Sequence, residues 1–94
     1  FKFTQVSDIV YCKANGVYSE LYLLNGIVIP ASKSLKELVE LLPEKLFFRS
    51  HKTYLININH CLEYNRAEEL ILMLNKDLIP LSKRSKPLYL ELFK

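Results

Sequence analysis

The chain has 94 residues, half of them hydrophobic and 24% charged, with a formal net charge of +3. That length holds one core and no second domain, and the composition excludes a disordered chain. Lys, Glu or Asn interrupts every apolar run before it reaches the length of a membrane span. The chain opens on Phe1-Lys2-Phe3-Thr4, with neither a start methionine nor a charged leader. This reads as a domain cut from a longer protein.

Asp8–Lys13 alternates with β-formers on both faces and reads as a largely buried strand. Asn15-Gly16 is a turn signal, Val17–Leu24 a second strand, Asn25-Gly26 a hairpin turn and Ile27–Ala31 a third strand. Ser34-Leu35-Lys36-Glu37 fits a capping box, and Leu35, Leu38, Val39 and Leu42 follow as one apolar stripe, so a helix spans about 34–42. Pro43 ends it, and Leu46, Phe47 and Phe48 supply core bulk.

Tyr54–Asn57, Cys61–Tyr64, Glu69–Leu74 and Leu78–Leu81 read as further short strands. Ser85 is placed to cap a short C-terminal helix carrying Leu88 and Leu92, with Pro87 tolerated in its first turn. The expected fold is mainly β: an elongated antiparallel domain of seven short strands with one amphipathic helix and one terminal helix.

Cys12 and Cys61 both fall in strands, where a free thiol acts as a small core hydrophobe, so a reducing cytoplasm is expected. No CxxC or HxxxH spacing is present, and adjacent His60 and Cys61 point to opposite faces, so no metal site is expected. Ser50 and His51 likewise diverge on an extended chain. There is no phosphate-binding glycine loop and no placed carboxylate pair, so neither catalysis, a cofactor nor a small-molecule substrate is expected.

Charge placement says more than net charge. Residues 45–62 and 78–90 contain no Asp or Glu, yet hold Lys45, Arg49, Lys52, Lys83, Arg84 and Lys86. Glutamates collect instead at Glu37, Glu40 and Glu44, and at Glu63, Glu68 and Glu69. If the fold joins the two basic segments, one face is cationic. Arg49 would offer a planar fork to phosphate and Ser82 a hydroxyl beside Lys83 and Arg84. On these residues alone, an anion or a nucleic acid fits, and so do solvated turns. A protein-docking module using Leu23, Leu24, Leu41 and Leu90 is the alternative; salt dependence of binding separates the two.

The run Phe47-Phe48-Arg49-Ser50-His51-Lys52-Thr53-Tyr54-Leu55-Ile56-Asn57 closely resembles the central signature of the LytTR (LytR/AlgR-type) DNA-binding domain. Asp8–Ala14 resembles the family's opening strand, Ser34–Leu38 the start of its helix, and Leu78–Arg84 its terminal segment. The ordered match covers about residues 6–93. It implies a bacterial transcription-regulator output domain, often downstream of a receiver in two-component systems. Such a domain has no recognition helix, and edge loops enter successive major grooves of double-stranded DNA.

Carried over by position, the resemblance implies base contacts by Tyr18, Lys52 and Lys83. It assigns backbone or supporting roles to Lys13, Arg49, His51, Ser82, Arg84 and Lys86. Direct-repeat sites and two copies on DNA are implied as well. Tyr18 falls where relatives can carry histidine, Lys52 where serine or asparagine is frequent, and Lys83 where arginine is common. Tyr18 reads equally well as a core or edge aromatic. With four to six phosphates neutralised, log K is expected to fall with log salt at a slope of about −4 to −5.

Overall fold

The structure, a computed structural model, describes residues 5–93. Phe1–Thr4, read above as the start of an excised domain, and Lys94 lie outside the described residues.

The Asn15-Gly16 and Asn25-Gly26 pairs turn the chain as their residues dictate, with Gly16 at φ 65° and Gly26 at φ 89°. They join β1 (Ile9–Asn15), β2 (Tyr18–Leu23) and β3 (Val28–Ala31) into an antiparallel meander. Helix α1 (Leu35–Leu41) follows, closed by the expected capping box. The Glu37 amide donates to Ser34 Oγ at 3.2 Å, and the Ser34 amide donates to Glu37 Oε1 at 2.8 Å. The bond from the Ser34 amide holds the Glu37 carboxyl below its ordinary pKa.

Strands β4 (Phe47–His51) and β5 (Tyr54–Asn57) complete a five-stranded sheet in the order β3-β2-β1-β5-β4. A second, three-stranded sheet holds β6 (Cys61–Asn65), β7 (Leu70–Met73) and β8 (Leu78–Pro80) in sequence order. Helix α2 (Lys86–Leu92) closes the described fold. Both sheets are antiparallel, so the mainly β expectation holds.

The number of strands differs from the expectation by one. Phe47–His51 pairs with β5 as an edge strand, where the sequence offered core anchors followed by a projecting loop or strand edge and counted no separate strand. Its alternation is broken by polar residues at 49–51, which left no period to detect.

The large sheet is buried on both faces, which explains β-formers on both faces of β1. On one side, Cys12, Leu23, Phe47 and Leu55 pack with Leu35 and Leu38 of α1. On the other, Val10, Tyr11 and Ile56 meet Ile71, Met73 and Ile79 of the small sheet, with Leu81 and Tyr89. Consecutive Phe47 and Phe48 therefore serve opposite cores. Tyr11 adds a polar tie between the sheets, its hydroxyl donating to Asp77 Oδ2 at 2.8 Å.

Three local expectations need correction. Val39 turns to solvent, because a helix of only seven residues reaches the sheet over fewer than two turns. Ser85 stands at the N-cap of α2 without capping it; its hydroxyl donates instead to the Arg49 carbonyl at 3.0 Å. Leu23 is core, and Leu41 and Leu90 sit on helices on opposite sides of the large sheet. Leu23, Leu24, Leu41 and Leu90 thus form no single docking face.

Both cysteines are free thiols. No helix among the described residues is long and apolar enough to cross a membrane.

Candidate nucleic-acid interface

Strand directions decide which loops share an end. β1 finishes at Asn15 where β2 begins at Tyr18, and antiparallel β5 begins beside them, Lys13 pairing with Tyr54. The Gly16-Val17 and Lys52-Thr53 turns therefore lie next to each other at one end of the large sheet. Their backbones are tied directly, the Ala14 amide donating to the Thr53 carbonyl at 2.8 Å.

The second basic segment joins this end through β4. The Ser82 amide donates to the Ser50 carbonyl at 2.9 Å, and Ser85 Oγ reaches the Arg49 carbonyl. Two acid-free segments some thirty residues apart in sequence are thereby pinned side by side. Between them runs an open groove of about 790 Å³ lined by Phe47, Phe48, Arg49, His51, Lys52, Ser82, Arg84, Ser85 and Leu88. Its lining combines the apolar side chains of Phe47, Phe48 and Leu88 with the cations Arg49, Lys52 and Arg84.

A β-bulge in β4 sorts the residues of the central run. Arg49 pairs with Leu55 and His51 with Tyr54, so the register slips by one residue at Ser50. Leu55 belongs to the core beside α1, and Tyr54 packs toward the small sheet. Arg49 and His51 consequently leave opposite faces, although a regular strand would send both to the same one. Ser50 is fully buried between them, and its hydroxyl finds no partner among the described residues.

Both side chains then bend back onto the turn that presents Lys52. Arg49 Nε donates to the His51 carbonyl at 3.2 Å, and its Nη2 donates to the Lys52 carbonyl. The Thr53 amide donates to His51 Nδ1 at 3.1 Å, which places the proton of the neutral ring on Nε2. Partial burial lowers the Arg49 pKa from its ordinary value, and the group stays cationic at neutral pH. The turn is thus braced from both faces, and Lys52 at its tip is exposed.

The other expected residues divide clearly. Tyr18 is 38% exposed and receives a hydrogen bond from Asn15 Nδ2 at 3.0 Å, so it is an edge aromatic outside the core. Lys83 and Arg84 are exposed on the turn leading to α2. Ser82 is half-buried, and its hydroxyl accepts from the Ser85 amide at 3.2 Å, closing that turn. Lys86 makes an ion pair with Glu69 at 3.5 Å. Lys13 lies opposite Glu20 across the β1–β2 ladder. These two cations face carboxylates that sequence distance had hidden, so each offers less free charge than its segment implied.

One exposed cation at this end escaped the sequence reading. Lys33 lies two residues past the end of β3, and its carbonyl accepts from Ser19 Oγ at 2.8 Å. A signal was present, since residues 21–36 form a third acid-free stretch. Only strand pairing shows that it ends at the same edge.

A doubly covered antiparallel sheet that carries its cations on clustered loops defines a β-scaffold module with a cationic edge. The family described as LytTr DNA-binding domain matches residues 1–94, and the chain belongs to that family. No curated protein matches the chain. Among solved structures it is similar to the LytTr DNA-binding domain of a Bacillus cereus protein described as a methyl-accepting/DNA response regulator. That likeness has a TM-score of 0.85 at 24% identity, covering 96% of this chain and 84% of the other.

Proposed function

We propose that this domain binds double-stranded DNA sequence-specifically, as the output domain of a bacterial transcription regulator. Its edge loops enter major grooves. The observation that carries this reading is the pinning of Ser82 and Ser85 to the carbonyls of Ser50 and Arg49, which holds Lys52, Lys83 and Arg84 at one edge. Membership in the LytTr DNA-binding domain family supports the same reading.

Tyr18, Lys52 and Lys83 are the groove-entering residues in this proposal, each exposed at a loop tip or strand start. A lysine there makes a point-charge contact with guanine O6 or N7, and the tyrosine offers one hydroxyl and an aromatic face. Arg84 and Ser82 flank Lys83 as phosphate partners. Arg49 and His51 act chiefly by holding the turn in place, with Arg49 keeping spare N–H donors for a phosphate. Lys13 and Lys86 contribute a weaker field because Glu20 and Glu69 oppose them.

A rigid platform with short braced loops keeps the ordering cost of binding small. A single module of this size buries about 600–1,000 Å² of protein surface on DNA. Two copies on direct repeats would lengthen the site and add affinity through effective concentration.

Selection of a random duplex library with the isolated chain tests the reading. A recurrent motif containing guanines is expected, and Lys83→Ala is expected to relax preference at one position by about 1–3 kcal/mol. Recovery of the wild-type motif by that variant would remove Lys83 from base readout. Absence of any motif would remove sequence-specific recognition.

A further inference from the structure

We propose that Lys33 is a phosphate contact closing the DNA footprint at the β3 end, with buried Ser19 as its positioning residue. This rests on the DNA-binding reading above and extends it to a segment outside the residues that reading uses.

The placement follows from the ladder. Ala31 pairs with Ser19 near the end of the sheet where the Gly16-Val17 turn lies, and the chain then runs past that end. Lys33 therefore stands beyond the last paired residue of β3, beside the start of β2 and Tyr18. Five strands set four spacings of about 4.8 Å, so the cationic edge extends about 19 Å from β4 to β3. At about 3.4 Å per base pair, that is roughly six base pairs of duplex. The Arg49–Lys52 and Ser82–Arg84 cations occupy the β4 side of this edge. Lys33 is an exposed cation at its β3 side.

Two further observations hold Lys33 there. Ser19 is completely buried, and its hydroxyl is committed to the Lys33 carbonyl at 2.8 Å. A polar side chain inside the sheet keeps its place only when satisfied, so this bond fixes the Lys33 backbone relative to β2. Lys33 makes no ion pair among the described residues. Its charge helps to hold the nearby Glu37 carboxyl below its ordinary pKa, but that carboxylate is bonded by the Ser34 amide in the capping box.

The test uses the 94-residue chain and a duplex recovered from the library selection, with binding followed by fluorescence anisotropy across a salt series. One lost phosphate contact removes about 0.9 from the slope of log K against log salt, equivalent to about eightfold in affinity at 0.1 M relative to 1 M salt. Lys33→Gln is expected to show that change while selecting the same motif. Lys45→Gln, at the opposite end of the sheet, is expected to leave the slope unchanged.

Ser19→Ala is expected to weaken binding in the wild-type background and to have no further effect in Lys33→Gln, which a general loss of structure would not reproduce. An unaltered slope in Lys33→Gln, or an equal loss in Lys45→Gln, overturns the contact. An undiminished Ser19→Ala effect in the Lys33→Gln background overturns the positioning role. Lys52→Gln separates the two levels of the argument. If it weakens binding while Lys33→Gln does not, only the inference about Lys33 fails. If the wild-type chain binds no duplex, both fail.

Discussion

Replacing Arg49 by lysine separates a structural brace from a simple positive charge. The charge survives, but the planar fork that reaches the carbonyls of His51 and Lys52 together does not. A hydrogen bond from a charged group contributes about 1.5–3 kcal/mol when buried. Arg49 is only partly buried, and water can replace it at the turn carbonyls. A stability loss of about 1 kcal/mol is therefore the reasonable expectation, which thermal unfolding resolves as a lowering of Tm by about 4–8 °C in a domain this small.

The effect on DNA follows from looser presentation of Lys52. Spreading the Lys52 tip over several orientations at a cost of about 1.4 kcal/mol weakens specific binding about tenfold. The salt slope should stay at the wild-type value, because the number of cations is unchanged. Arg49→Ala should show the same loosening, with a further slope reduction of about 0.9 if its spare donors meet a phosphate. Wild-type stability and affinity in Arg49→Lys would refute the brace and leave Arg49 as a point charge alone.

Other expectations follow from backbone and burial. Lys76 sits at φ 76°, where a side chain is strained, so Lys76→Gly should raise stability by about 1 kcal/mol in a denaturant melt; a decrease would contradict the strain. Burial pushes Cys12 up to about 12 and Cys61 up to about 11, and raises Tyr11 and Tyr89 in the same direction. These groups keep their protons in the fold after the unfolded chain has lost them. Their stabilising contribution is therefore complete below about pH 8.5 and declines as pH rises through the folded values. Thermal melts should show a falling Tm between about pH 8.5 and 11, and a flat profile there would argue against thiol burial.

Much of this architecture was legible locally. Asn-Gly turns, the Ser34–Glu37 capping box and the doubly apolar β1 are decided by residues within one turn or one strand of each other. For such features the sequence pattern and the physical interaction have the same range. The central basic run was likewise conspicuous, and its family resemblance carried the functional reading.

What sequence order could not supply was everything set by contacts across the fold. The bulge at Ser50 depends on pairing with Leu55 and Tyr54, and it alone sends Arg49 and His51 to opposite faces of the turn they brace. Glu69 and Glu20 lie against Lys86 and Lys13 through pairings that a one-dimensional charge count does not see. Ser85 illustrates the same competition, since a carbonyl of β4 took the hydroxyl that local logic had assigned to the helix end.

By itself, then, the sequence determined every element type except the edge strand β4, together with the two basic segments and the family, because each is written in short-range pattern. Tertiary structure alone decided which cations share an edge, which are opposed by acids, and that Lys33 stands among them. Those are properties of strand order and register, and hydrogen bonds between residues distant in sequence set both.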